Sequence, residues 1–451
     1  MSARALSLDR IGFGAKAGKK SKSRKKRSRG AAPSTEYNLL LTATLCLLAL
    51  GAVMVFSASS TTQILSNGNL ADSAFYLKRT LIFGAAGLLV MHLTARHGLI
   101  AVRRITPALL VGSLFLLFVV LFAGISTNGA SRWIGPGSLQ FQPSELAKVA
   151  LILYGADLLA REPKRVRNLQ GLMPFLLVAG TACLLIIAEP DMGTTMVVAF
   201  SVGATLIAAG ARLADLGKIA LCLGVLALLM TVVEPYRMAR LTGFLHPGSE
   251  ASGAGFQAAQ AKIALGSGGF FGVGIGNGVQ KAFYLPEAHT DMISAVIGEE
   301  LGMVGIFGVV GLFGLLGYAG LRVAQQAKDR YGKLLVAGLT SLILAQATIN
   351  LFAVMGLAPL TGVPLPFVSY GNSSLLATLF AVGLILNVAR GGTAATGKLR
   401  VVEGGRTAGA RKRSQGGKTR RGGKSAQSRS GSGGNRRPRR AGDSRRRRAS
   451  G

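Results

Sequence analysis

The chain is expected to be an all-α polytopic membrane protein of about ten transmembrane helices, with a large extracytoplasmic loop between the seventh and eighth and disordered basic tails. Three observations lead there. Of 451 residues 49% are hydrophobic, yet 52 Lys and Arg stand against 18 Asp and Glu, a net charge of +34. The two properties separate along the chain: residues 1–37 hold 11 basic residues and the last 54 hold 19, with two acids in each segment. Between them lie apolar runs of the roughly 20 residues that a helix needs to cross a bilayer. A soluble nucleic-acid binder is excluded as the main reading, and so is a disulfide scaffold, because Cys46, Cys183 and Cys222 all lie inside apolar runs.

The runs fall at about 38–57, 80–95, 105–124, 143–160, 171–188, 192–210, 216–234, 291–321, 334–356 and 374–390. This divides the chain into a basic tail 1–37, a membrane domain 38–390 and a basic tail 391–451. The small residues Ser57, Ala58 and Ser59 after the first run resemble a signal cleavage site, but the run and its basic leader are too long, so it reads as a retained span. With residue 1 in the cytoplasm the inner loops are 96–104, 161–168, 211–218 and 322–333, carrying 3, 4, 2 and 4 Lys/Arg. Both tails then fall inside, as the positive-inside rule requires. The tails are Lys/Arg/Ser/Gly-rich and cannot bury a core, so disorder is expected. Attraction to anionic headgroups or docking to an acidic protein both fit them; nucleic-acid contact would be nonspecific.

The outer segment 235–290 is far longer than an ordinary connection and reads as functional. Phe256–Leu265 has helical spacing, and the glycines from Gly266 to Gly278 permit tight turns and close approach of a ligand. A nucleotide loop is excluded, because no strand precedes the glycines and no Lys-Ser/Thr follows them. Asp291, beside Glu287 and His289, precedes a long apolar run, where a carboxylate serves either as a helix cap or as a general base for a sugar hydroxyl. Ionisable residues in or near spans are costly and mark function. Glu145 and Lys148 share a helix face and neutralise one another; Glu299 and Glu300 lie deeper than Asp291, so at least one must face a polar cavity or be protonated. Glu189 and Asp191 flank Pro190 in what reads as a solvated outer turn. In the last outer loop Pro359, Pro364 and Pro366 exclude a regular helix. There Ser369, Tyr370, Asn372, Ser373 and Ser374 suit sugar or phosphate contacts, or a plain turn with a cap at Ser373. The histidines lack metal-ligand spacing, so no protein metal cage is expected.

These segments together resemble the SEDS family (shape, elongation, division and sporulation proteins). The matching stretches are NGASRWIGPGSLQFQPSELAK at 128–148, EPDMGTT at 189–195, YRMARLTGFLHP at 236–247, YLPEAHTDMISAVIGEELGMVG at 284–305 and PLTGVPLPFVSYGNSSLL at 359–376. The third stretch and Gln280-Lys281 favour its division branch over its elongation branch. Met292, Ser294 and Asn372 depart from the usual family residues. The resemblance implies a peptidoglycan glycosyltransferase that polymerises lipid II on the outer face of the bacterial cytoplasmic membrane, at the division septum, with a class B penicillin-binding protein as transpeptidase partner and other divisome proteins. It assigns the functional aspartate to Asp291, the Glu/Lys pair to Glu145 and Lys148, and the loop arginine to Arg132. Arg132, Lys262 and Lys281 are the candidate cations for the pyrophosphate leaving group, alongside a divalent ion (Mg2+ or Mn2+) carried by the pyrophosphate itself. A lipid II flippase and a noncatalytic division scaffold are the alternatives.

Overall fold

The computed structural model describes residues 34–67, 74–127, 130–135, 140–233, 235–245 and 253–393. The expected disorder of the tails falls almost wholly on residues outside these ranges. Twelve α-helices are present among the described residues: α1 Thr35–Asn67, α2 Phe75–Ala123, α3 Pro143–Arg161, α4 Leu169–Ala188, α5 Met192–Ala209, α6 Leu213–Val233, α7 Pro235–Leu245, α8 Ala254–Ser267, α9 Gln280–Phe283, α10 Ile293–Gln326, α11 Arg330–Val354 and α12 Asn372–Ala389. Eight of them are long and apolar enough to cross a membrane. The all-α expectation holds, with one short antiparallel hairpin, β1 Ile125–Thr127 with β2 Ala130–Trp133, between α2 and α3.

Local sequence explains the helix ends. Pro143 occupies the first turn of α3, where a missing N–H costs nothing. Asp191 caps α5 by accepting the Thr194 N–H at 3.0 Å, and Gly210 ends that helix at φ 92°.

The run of nine residues read as an inner loop, 96–104, is helical. α2 would be about 73 Å long if straight, but its contacts show that it doubles back. Gly87 packs on Leu379 and Gly98 on Leu384, so the first half descends along α12, and Asn387 donates to the Thr94 carbonyl at 3.0 Å. Arg103 then pairs with Asp157 near the end of α3 at 2.7 Å, while Gly124 meets Ser131 of the hairpin beside the start of α3.

α11 is the central helix, with most of its residues buried, whereas α6 has no buried residue and packs on the core only through half-buried side chains such as Leu216 and Ile219.

α10 is broken at Gly302, whose φ of 66° and ψ of −160° are inaccessible to a helix. A helix break orphans backbone groups that must be satisfied away from water. The glycine-rich segment does this. Val273 and Gly274 donate to the carbonyls of Glu299 and Glu300 at 3.0 and 3.1 Å, and Met303 and Val304 donate to Gly269 and Phe270 at 3.1 and 3.2 Å. A Cβ on Gly302 would stand 2.4 Å from the Gly272 nitrogen, so the close approach that the glycines permit is to backbone, not to a ligand.

The loop of Met355–Gly371 is irregular, and its carbonyls are taken by side chains from the helices. Gln346 donates to Pro364 O at 3.0 Å, Asn350 to Val363 O at 2.8 Å, and Arg240 to Leu360 O at 2.9 Å.

Candidate functional site

At one end of the bundle meet the hairpin, the starts of α3, α5, α10 and α12, and the 355–371 loop. Asp291 sits there in a turn two residues ahead of α10, and does not cap it: Met292 is the N-cap residue. The turn is held by backbone. Asn350 donates to Asp291 O at 2.7 Å, and Tyr370 N donates to His289 O at 2.9 Å. His289 packs against Tyr76 and Tyr370, with ring centroids 4.4 and 5.6 Å away, and the two tyrosines also touch each other. Burial pushes its pKa below the usual imidazole value, although Glu287 opposes the shift.

The Asp291 side chain is partly exposed in this dense surround. Desolvation, reinforced by the Glu287 charge, raises its pKa to about 6; its own backbone N–H, Arg240 and Thr290 pull the other way. Thr290 Oγ1 lies 3.0 Å from Glu287 Oε2 and 3.3 Å from Asp291 Oδ1, bridging the two acids. Gly362, at φ 71°, floors the site: a Cβ there would lie 3.8 Å from Asp291 Oδ2 and 3.9 Å from Arg240 Nη1. The carboxylate and the guanidinium thus face one small space.

Arg240 is the candidate residue that the sequence reading missed. It lies inside the quoted YRMARLTGFLHP stretch, but only the fold brings α7 over the 355–371 loop. Lys262, on α8, lines the same cleft as Arg240 and lies flat across Gly356.

The other candidates are placed elsewhere or occupied. Lys281 is 2% exposed; its ammonium contacts Glu300 at 2.5 Å, Ser57 Oγ at 2.8 Å and Gly276 O at 2.9 Å. It is a buried structural cation, because an ammonium so surrounded has no donor left for a pyrophosphate. Glu300 thereby meets the need for a polar neighbour, and Glu299 Oε1 accepts from Val279 N and Gln280 N at 2.8 and 3.1 Å. Lys148 bonds both Glu145 and Gln346 at 2.9 Å, a buried brace between α3 and α11. Arg132 donates to the carbonyls of Glu189 and Pro190, pinning the hairpin to the α4–α5 turn.

That turn is not solvated. Glu189 and Asp191 are 1% and 3% exposed, and both Glu189 carboxyl oxygens are buried without a hydrogen-bond partner. Burial, with Asp191 adding and Arg132 opposing, pushes the Glu189 pKa up to about 8.

Ser369 Oγ accepts from Leu365 N at 2.8 Å, Ser373 Oγ accepts from Gln142 N at 3.0 Å, and Asn372 hydrogen-bonds Tyr370. These three shape the loop rather than face the Asp291 opening, and the cap of α12 is Gly371, not Ser373. Of the departures from the family pattern, Ser294 donates to Asn350 Oδ1 and Met292 is buried at 1%. Among the described residues no three His, Cys, Asp or Glu side chains cluster to hold a metal.

A helical membrane-protein fold with a carboxylate and a guanidinium at one end of its bundle defines the class. Residues 37–393 match the cell cycle protein family of FtsW, RodA and SpoVE. The probable peptidoglycan glycosyltransferase FtsW of Trichlorobacter lovleyi is 42% identical over 360 residues, 79% of this chain and 94% of that protein. The stage V sporulation protein E of Bacillus subtilis is 40% identical over 358 residues, 78% of this chain and 96% of that one. Among solved structures, the fold is similar to a chain of a peptidoglycan synthase complex that coordinates polymerization and crosslinking, at TM-score 0.64 and 29% identity, covering 78% of this chain and 96% of that one. It is also similar to the rod shape determining protein RodA of Thermus thermophilus, at TM-score 0.57 and 29% identity, covering 78% and 95%. The chain belongs to the FtsW/RodA/SpoVE family.

Proposed function

We propose that the chain is a peptidoglycan glycosyltransferase that polymerises lipid II into β-1,4 glycan strands during septal wall synthesis. The observation that carries the reading is Asp291: a partly exposed carboxyl with a pKa raised to about 6, beside Arg240, in a family whose named members include peptidoglycan glycosyltransferases. A carboxylate of that acidity is ionised at neutral pH and is a better proton acceptor than an ordinary aspartate. The transfer is inverting. Asp291 takes the proton of the GlcNAc 4-hydroxyl as that oxygen attacks the anomeric carbon of the donor MurNAc, and undecaprenyl pyrophosphate leaves. Asp291 remains a weak base, so orientation of the two sugars contributes much of the rate. Any Mg2+ or Mn2+ arrives as part of the pyrophosphate substrate.

The membrane arrangement that supports this chemistry has ten crossings: the eight apolar helices, with α2 counted twice because it doubles back, and α3, whose charges lower its apolarity. Asp291 then faces outward and both termini lie in the cytoplasm of a bacterial inner membrane. The partner is a class B penicillin-binding protein within the division machinery, consistent with the similar chain in a synthase complex.

The test is polymerisation of lipid II, presented on the outer leaflet, by the purified protein with and without its transpeptidase partner. Glycan made without ATP or an ion gradient, and lost in Asp291→Asn, is the expected result. Translocation without glycan would make the chain a flippase, and division supported by Asp291→Asn would make it a scaffold.

A further inference from the structure

The turn between α4 and α5 carries more negative charge than its neighbours answer. Glu189 and Asp191 are both buried there, and the cation beside them, Arg132, directs its hydrogen bonds to the carbonyls of Glu189 and Pro190. Asp191 is met from its own helix, where Thr194 N and Thr194 Oγ1 donate to it at 3.0 and 2.8 Å. Glu189 is not: both of its carboxyl oxygens are buried and neither accepts a hydrogen bond. Two carboxylates against one guanidinium leave one negative charge over, and a buried charge without a partner is costly. The bordering segments offer further oxygens. The Gln142 amide meets Asp191 Oδ2 at 3.4 Å, a long contact, and turning that amide over presents its Oε1 instead. Ser144 Oγ in the first turn of α3 and Thr361 Oγ1 in the last loop are also buried without a partner. Thr361 packs on the turn, since a Cβ on Gly193 would stand 2.8 Å from its carbonyl oxygen. This donor set is all oxygen, the chemistry of a hard cation rather than of zinc.

We infer that the α4–α5 turn is a structural binding site for a hard divalent cation of the Ca2+ or Mg2+ class, with the Glu189 carboxylate as its main ligand and Asp191 Oδ2 and the Gln142 amide oxygen beside it. Such a site needs two acids, an amide and hydroxyls or water, so it does not require the three-acid cluster that is absent among the described residues. It is separate from any ion that a diphosphate substrate carries, and it stands whether or not the chain transfers glycosyl groups. The cation ties together three segments far apart in the chain: the start of α3 through Gln142, the α4–α5 turn, and the last loop that packs on Gly193. The residue after Thr361 is Gly362, which floors the Asp291 opening, so the ion braces the backbone that leads to that floor. When the cation is removed, Glu189 takes a proton in its place, the state in which it is neutral near pH 7.

The experiment uses terbium as the probe, on the full-length protein in nanodiscs of zwitterionic phosphatidylcholine. Trp133, the chain's single tryptophan, follows Arg132 in the hairpin, so exciting it sensitises a lanthanide held at the turn. Saturable terbium luminescence is expected, displaced by Ca2+ or Mg2+ and not by the same concentration of Na+. Glu189→Gln should weaken terbium binding about tenfold or more, since a ligand is lost, and Glu189→Asp should keep part of it. Asp291→Asn should leave the signal unchanged. Glutamine copies the neutral carboxyl in shape, so this variant folds. Thermal unfolding supplies a second reading: a chelator should lower the midpoint of the wild type and leave that of Glu189→Gln where it was. Undiminished terbium binding in Glu189→Gln, loss of the signal in Asp291→Asn, equal displacement by Na+, or a wild-type midpoint indifferent to chelation each overturns the site.

Discussion

Two charged clusters lie within ten residues of each other along the chain and are built on opposite rules. In the Lys281–Glu300 cluster every charge is met: the ammonium by carboxylate, hydroxyl and carbonyl, the carboxylate by Lys281 and Ser57. Around Asp291 the carboxylate is only partly covered, its closest hydroxyl is shared with Glu287, and an exposed lysine lies across a neighbouring glycine. A fully satisfied buried pair is a structural element whose removal costs stability. A charge left facing an opening, where burial has already weakened its acidity, is available to a substrate. Position in sequence does not separate the two kinds; completeness of the local partners does.

The strongest break of that contrast is Asp291→Asn. Loss of a general base should cost about 10²–10⁴ in rate, with the thermal unfolding midpoint little changed; lipid II polymerisation and thermal unfolding measure the two. Next comes the buried pair. Lys281→Met or Glu300→Leu alone leaves an uncompensated charge and should destabilise by about 3–5 kcal/mol, while the double variant recovers much of it. A denaturant double-mutant cycle reads this, and additive losses would show that the pair is not coupled. Gly302→Ala should cost about 1–3 kcal/mol from its backbone conformation alone, and more from the clash with the glycine segment.

The pH response sharpens the comparison from the other side. Asp291 must be ionised to accept a proton, so with its pKa at about 6 the rate should fall as pH drops through 6. Arg240→Gln should move that midpoint upward, since the guanidinium favours the charged form. A rate flat between pH 5 and 7 would contradict the assignment. A stability readout comes from Glu189, whose raised pKa of about 8 keeps it neutral near pH 7. A carboxyl with a folded pKa above its unfolded value costs stability as pH rises from the unfolded value towards the folded one. Glu189→Gln should therefore fold, and its stability relative to wild type should improve as pH climbs from about 4.5 to 8; unfolding midpoints across that range test it.

Much of this was legible in the residues. The apolar runs coincide with the long helices because a span needs only length and apolarity; Asp291 read by position as either a helix cap or a general base, and the family resemblance, not its spacing, assigned it the functional role. Glu145–Lys148 was readable as a pair from its three-residue spacing, and forms at 2.9 Å. Lys281 was misleading, because its partner Glu300 lies 19 residues away and Ser57 lies 224 away. The Glu189 turn looked solvated, since its flanking proline suggests a surface loop and says nothing of the hairpin packed on it.

Composition and periodicity alone determined that the chain crosses a membrane repeatedly and where its apolar helices lie, because burial in hydrocarbon constrains every residue of a span locally. Only the tertiary structure decided which charges are neutralised. It also decided that the glycine segment repairs the broken α10 helix, that Arg240 lies close to Asp291 over Gly362, and that Arg240 shares a cleft with Lys262. Those outcomes depend on backbones and side chains far apart in sequence, and electrostatic partnership is set by distance in space, which no local pattern records.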